Sequence, residues 1–132
     1  MRVAMIGSGY VGLVSGACFA DFGHDVVCVD KVRAKIDSLK AGRMPIYEPG
    51  LEEMVARNVD DGRLTFTIDL AAGVRQSDVI FIAVGTPARA AGETDLSRVE
   101  AVAAEIGRTM GRYKVVVNKS TVPVGTGELV RE

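Results

Sequence analysis

The sequence predicts an α/β protein in which one open parallel sheet lies between two layers of helices. Three observations predict it. Short, continuous apolar runs recur along the 132 residues, as in Val3-Ala4-Met5-Ile6, Val26-Val27-Cys28-Val29 and Val79-Ile80-Phe81-Ile82, and strands covered on both faces read this way. Segments with apolar residues at helical spacing separate those runs. Composition is that of one globular domain, 48% hydrophobic and 25% charged, at a length that fits a single unit of about 100–200 residues.

The elements follow in order. Arg2-Val3-Ala4-Met5-Ile6 is a strand stopped by Gly7, and Gly7-Ser8-Gly9-Tyr10-Val11-Gly12 turns the chain into a helix of small residues running to about Phe22. Gly23-His24 is a turn, and Val26-Val27-Cys28-Val29-Asp30 is a second strand ending in an acid. A helix is expected over 32–40 on Ile36 and Leu39, and a loop over 42–50, where Pro45 and Pro49 bar helix and central strand. Residues 51–59 form a helix with Leu51, Met54 and Val55 on one face, and residues 64–67 a third strand. Asp69 caps a short helix. Residues 79–84 are a fourth strand, 85–94 a loop, Asp95 the cap of a helix to about Met110, and 115–118 a fifth strand.

Strand and helix alternate throughout, which predicts a doubly wound, three-layer αβα fold with right-handed crossovers and strand order 3-2-1-4-5. This is the Rossmann type. Such a sheet ordinarily has a sixth strand, so the chain reads as truncated before its last strand, an incomplete domain at the front of something longer.

Composition narrows the function classes. Lys and Arg number 16 against 17 Asp and Glu, a net charge of −1 with no long run of one sign, so nucleic acid is not an expected partner. No apolar stretch approaches the ~20 residues that cross a bilayer, and no secretory leader is present, so neither a membrane nor export is expected and the location is cytoplasmic. Cys18 and Cys28 lack metal-ligand spacing and read as inert core thiols, and no metal site is expected. Glycine is the one excess, 15 residues of 132, and it gathers at segment junctions.

The chemistry lies there. Gly7 permits a tight turn out of the first strand, Gly9 lets a backbone approach a pyrophosphate, and Gly12 lets the helix pack closely on the strand. Free N–H groups at the helix amino end suit the phosphates. Asp30, eighteen residues beyond Gly12, is placed to accept bonds from a ribose and to repel a 2′-phosphate, which favours NAD over NADP. Lys31 and Arg33 read as solvated helix residues. In open α/β sheets ligands sit beyond the carboxyl ends of the strands, so Val84-Gly85-Thr86-Pro87 and the run from Lys119 to Thr126 border one crevice. Position alone leaves Thr86 and Thr121 equally readable as turn residues. His24, at the opposite edge, is a turn residue, and so, on position, is Tyr47-Glu48.

Five runs together closely resemble the amino-terminal domain of the UDP-glucose/GDP-mannose dehydrogenases, in particular the UDP-glucose 6-dehydrogenases. They are Gly7 to Gly16, Phe22-Gly23-His24, Pro45-Ile46-Tyr47-Glu48-Pro49-Gly50-Leu51, Val84-Gly85-Thr86-Pro87 and Lys119-Ser120-Thr121-Val122-Pro123-Val124-Gly125-Thr126. The resemblance implies an enzyme that oxidises the C6 alcohol of UDP-glucose to UDP-glucuronate with two NAD⁺ through a thioester. It implies that Val11, Asp30 and Lys35 contact the adenosine half of NAD, that Thr86 and Thr121 lie along the cofactor, and that Thr121 positions a water. With the turn, the candidate cofactor set is Gly7, Gly9, Tyr10, Val11, Gly12, Asp30, Lys35, Thr86 and Thr121. It also implies a homodimer of the complete enzyme, with the nucleophilic cysteine, the acid–base groups and most sugar-nucleotide contacts beyond residue 132. The 132 residues alone are therefore expected to bind NAD(H) without turnover. Two alternatives stand beside this reading: a GDP-mannose 6-dehydrogenase, and a stand-alone module that senses NAD.

Overall fold

A computed structural model of the chain describes residues 1–44, 48–84, 97–109 and 114–118. In order these form β1 (Arg2–Ile6), α1 (Tyr10–Asp21), β2 (Asp25–Val29), α2 (Arg33–Lys40), α3 (Leu51–Asp60), β3 (Leu64–Thr67), α4 (Leu70–Gln76), β4 (Val79–Ile82), α5 (Ser97–Thr109) and β5 (Val115–Asn118). The five strands make one sheet of order β3-β2-β1-β4-β5, and all four pairings are parallel. This is the fold class and strand order that the sequence predicts.

The sheet divides the apolar side chains between two cores. In β1, Val3 and Met5 point to one face and join Leu13 and Ala17 of α1, Ile36 of α2 and Val55 of α3. Ala4 and Ile6 point to the other and join Val74 of α4 and Val99 and Ile106 of α5. A period of two along a strand produces this division, and it explains why β1 is apolar without interruption. Phe19 of α1 stacks on Phe81 of β4 with ring centroids 5.1 Å apart, which fastens α1 over the middle of the sheet.

Several boundaries differ from the sequence reading for identifiable reasons. β4 ends at Ile82, two residues before Val84. Its partner β1 stops at Ile6, whose carbonyl accepts from the Ala83 N–H at 2.8 Å just past the end of β4. β2 begins at Asp25, paired with Arg2, and Asp30 falls just past its end. α1 begins at Tyr10, inside the glycine run, because Gly9 already accepts the first helical bond, from Leu13 N–H at 2.9 Å. α2 begins at Arg33, with Val32 as its N-cap.

Asp69 does cap α4, its side chain accepting from Ala72 N–H at 3.1 Å. The expected cap Asp95 and helix end Met110 lie outside the described residues, as does Tyr47. At the far end of α4, the buried Lys114 ammonium donates to the carbonyls of Ser77 and, at 3.4 Å, Arg75. A cation there complements the negative end of the helix dipole.

Away from the glycine turn, Asp21 ties α1 to α3. Its carboxylate accepts from Arg57 at 2.6 Å and from the fully buried Asn58 at 3.2 Å. Arg63 donates to the Asn58 side-chain carbonyl and to the Ala20 carbonyl, closing the cluster.

Candidate functional site

β1 is the central strand, with β2 and β3 on one side and β4 and β5 on the other. The carboxyl ends of β1 and β4 are therefore where the strand order reverses, and a crevice forms at such a point. Gly7 leads out of β1 with φ +107°, a conformation that L side chains resist, and its N–H still bonds the Val29 carbonyl at 2.7 Å. A Cβ there would also meet the Ala83 carbonyl oxygen at 2.6 Å.

Gly12 lies in the first turn of α1, where a Cβ would sit 1.9 Å from the Gly7 carbonyl oxygen. Helix and turn are thus packed backbone to backbone. Gly9 is the opposite case, since a Cβ on it would meet none of the described residues within 4 Å. Among them its side of the turn is open space, which a ligand's phosphates can enter and a side chain would fill.

The amino end of α1 suits an anion. Gly9 is its N-cap and offers no side chain, and no acidic residue stands in its first turn. The positive end of the helix dipole and the first N–H groups therefore face the turn without a side-chain cap. Val11, in the same first turn, is 45% exposed, an apolar side chain at the rim.

Asp30 closes this site from β2. Its side chain is 11% exposed, and it accepts three hydrogen bonds. Oδ2 accepts from the Ser8 N–H at 3.1 Å and the Ser8 hydroxyl at 2.8 Å, and Oδ1 accepts from the Val32 N–H at 2.9 Å. The Lys35 ammonium, half exposed, stands 4.0 Å from Oδ2. Burial pushes this carboxyl up, but the Val32 N–H, the two Ser8 donors and the Lys35 charge outweigh it and hold Asp30 below the usual carboxylate value.

The structure thus brings Gly7, Gly9, Val11, Gly12, Asp30 and Lys35 to one end of the sheet, with the backbone of Tyr10 among them. Thr86 and Thr121 lie outside the described residues. Lys31 and Arg33 are exposed, in keeping with solvated positions. Sequence reasoning passed over Ser8, which is 1% exposed. Its signal was present: it is the one hydroxyl side chain between the two glycines that open the turn.

Other chemistry is sparse among the described residues. They contain no group of three metal-ligating side chains, and no helix long and apolar enough to cross a membrane. Cys28 is buried, with its thiol pushed up to about 12 by desolvation, while Cys18 is partly exposed. A groove of about 520 Å³ bordered by Arg2, Asp25, Arg63, Thr65 and Gln76 runs along the amino ends of the strands, at the edge opposite the glycine turn.

A sheet of this order, a glycine turn ending its central strand and an acid closing the next strand define a dinucleotide-binding domain of the Rossmann class. Comparison with known proteins makes the assignment specific. The NAD-binding domain of the UDP-glucose/GDP-mannose dehydrogenase family matches residues 1–132, and the chain belongs to that family.

UDP-glucose 6-dehydrogenase of Rhizobium meliloti (strain 1021) is 63% identical over 131 residues, which are 98% of this chain and 30% of that protein. GDP-mannose 6-dehydrogenase of Pseudomonas savastanoi pv. phaseolicola is 42% identical over 129 residues, covering 96% of this chain and 30% of that one. Among solved structures, a UDP-glucose dehydrogenase from the hyperthermophilic archaeon Pyrobaculum islandicum matches with a TM-score of 0.94 and 46% identity, over 98% of this chain and 31% of its own. The chain spans under a third of the length of these relatives.

Proposed function

We propose that residues 1–132 are the NAD-binding domain of an enzyme that oxidises the C6 alcohol of UDP-glucose to UDP-glucuronate with two NAD⁺. The observation that carries the cofactor half is the pairing of open space at Gly9 with a nearly buried, ionised carboxylate at Asp30. The turn cradles the pyrophosphate on the amino end of α1, and Asp30 accepts from the adenosine ribose. A 2′-phosphate brought to the same carboxylate is repelled, so NAD is preferred to NADP. Val11 packs on the adenosine half and Lys35 borders it, while Thr86 and Thr121 line the path to the reacting carbon, with Thr121 holding a water. NAD supplies the hydride acceptor for the oxidation.

UDP-glucose is favoured as the substrate by the 63% identity to the UDP-glucose 6-dehydrogenase against 42% to the GDP-mannose 6-dehydrogenase. Neither cysteine of this chain fits the thioester step. Cys28 is buried with a thiol held protonated, and Cys18 lies eight residues along α1 from Tyr10, about 12 Å from the helix amino end. The 132 residues therefore bind NAD(H) without oxidising sugar nucleotide themselves.

Calorimetric titration with NAD⁺ of the chain and of its Gly9→Val and Asp30→Ala variants tests the cofactor reading. Each variant is expected to bind at least about tenfold more weakly while remaining folded, and undiminished binding by both defeats the reading. Turnover of UDP-glucose against GDP-mannose, measured in a polypeptide extended to the relatives' length, tests the substrate.

A further inference from the structure

We propose that Ser8 is the positioning residue of the ribose anchor: it holds Oδ2 of Asp30 inside the glycine turn and leaves Oδ1 as the oxygen that meets the ribose. The inference rests on Asp30 being that anchor and goes one residue further. A carboxylate oxygen has two lone pairs, and Ser8 addresses both on Oδ2, with its hydroxyl at 2.8 Å and its N–H at 3.1 Å. The Val32 N–H takes one on Oδ1, which leaves the other for a ligand.

The residue that carries this hydroxyl, Ser8, is 1% exposed. It is therefore committed to the carboxylate and withdrawn from solvent, in a turn whose neighbours on both sides are glycines. Three donors fix the carboxylate before any ligand arrives, so ribose binding requires little reorganisation of the acid. The same bonds join the two halves of the site. Ser8 belongs to the loop proposed to hold the phosphates, and Asp30, just past the end of β2, is proposed to hold the sugar, twenty-two residues away in the chain. Without the hydroxyl, the carboxylate keeps only backbone donors and the Lys35 ammonium 4.0 Å away. It is then held less firmly against rotation toward that cation.

The test compares ADP with 2′,3′-dideoxy-ADP, which lacks the ribose hydroxyls, on the chain and on its Ser8→Ala, Ser8→Thr and Asp30→Ala variants, with affinities taken from NMR titration. Ser8→Ala is expected to weaken ADP about five- to tenfold and to leave the dideoxy analogue nearly unchanged, while Ser8→Thr restores most of the difference. The carboxyl carbon of Asp30, followed by NMR in the ligand-free chain, is expected to titrate at higher pH in Ser8→Ala. Equal loss for both ligands in Ser8→Ala reduces Ser8 to a structural residue and overturns the proposal, as does no loss for either. If Ser8→Ala has no effect while Asp30→Ala weakens ADP, only the role of Ser8 falls. If Asp30→Ala also binds ADP unchanged, the ribose anchor itself is wrong.

Discussion

Gly16 of α1 faces Cys28 of β2 so closely that a Cβ at position 16 would lie 2.9 Å from the Cys28 sulfur. The contact sets how near the first helix comes to the sheet, because its buried residues Leu13, Ala17 and Ala20 lie on the stripe that includes Gly16.

Gly16→Ala should therefore destabilise the chain, by about 1–2 kcal/mol. Overpacking a core costs roughly 1–3 kcal/mol, and the better helix propensity of alanine returns up to about 1 kcal/mol. In a Cys28→Ala background the clash is gone, so the same substitution should become neutral or stabilising. Urea denaturation of the four proteins in this cycle checks the coupling, and additive effects would contradict it.

Gly12 and Gly9 should separate folding from binding. Gly12→Ala drives a Cβ into the Gly7 carbonyl, which is backbone with no room to retreat, and a loss of about 3 kcal/mol or more is expected. Gly9→Ala enters open space at φ −74°, and the unfolded-state gain of about 0.4–1 kcal/mol is offset by alanine's poorer N-cap preference, so stability should stay within about 1 kcal/mol of the parent. Thermal unfolding in the absence of ligand distinguishes the two.

The thiols should differ in reactivity. Cys28 is buried with its thiol pushed up to about 12, so the thiolate that attacks disulfide reagents is almost absent from the native chain. Cys18 is partly exposed and should react in the native state. Titration with an aromatic disulfide before and after adding denaturant checks this, and prompt native labelling of Cys28 would refute it.

The Asp21–Arg57 pair should show in acid. Hydrogen bonds from Arg57, then Asn58, hold the Asp21 carboxyl below its usual value against a smaller opposing effect of burial. Because the folded value is the lower one, the contribution is complete above the unfolded value of ~3.9 and is lost as pH falls through the folded value. Asp21→Asn should be less stable than the parent near neutral pH, and the difference should shrink as the pH falls through the lowered folded value of Asp21. Added salt should narrow it as well, since the pair is exposed.

Much of this was legible in the sequence. The apolar runs gave the strands because a strand covered on both faces has no polar side to interrupt it, and the alternation of such strands with helices pointed to a doubly wound sheet of order β3-β2-β1-β4-β5. The strand ends were less legible. β4 stops at Ile82 because its neighbour β1 turns away at Gly7, and nothing in the apolar run through Val84 records where a neighbour leaves. In the site, the glycines and Asp30 were readable because backbone conformation and an acid at a strand end leave a local signature. The Ser8 to Asp30 bond was not, since it joins residues brought together only by pairing β1 with β2. Lys114 escaped for the same reason: the carbonyls it caps, of Arg75 and Ser77 at the end of α4, lie thirty-nine and thirty-seven residues earlier.

β1 and β2 run level, with Ile6 opposite Val29 at their ends. Sliding β2 by one position would turn Val26 and Cys28 out of their core, and the same slip would pull Asp30 away from Ser8. On the role proposed for Asp30, coenzyme preference is thereby welded to the alignment that keeps the interior dry, and an engineer who wants a different preference would change the side chain at position 30 and leave the strand where it is.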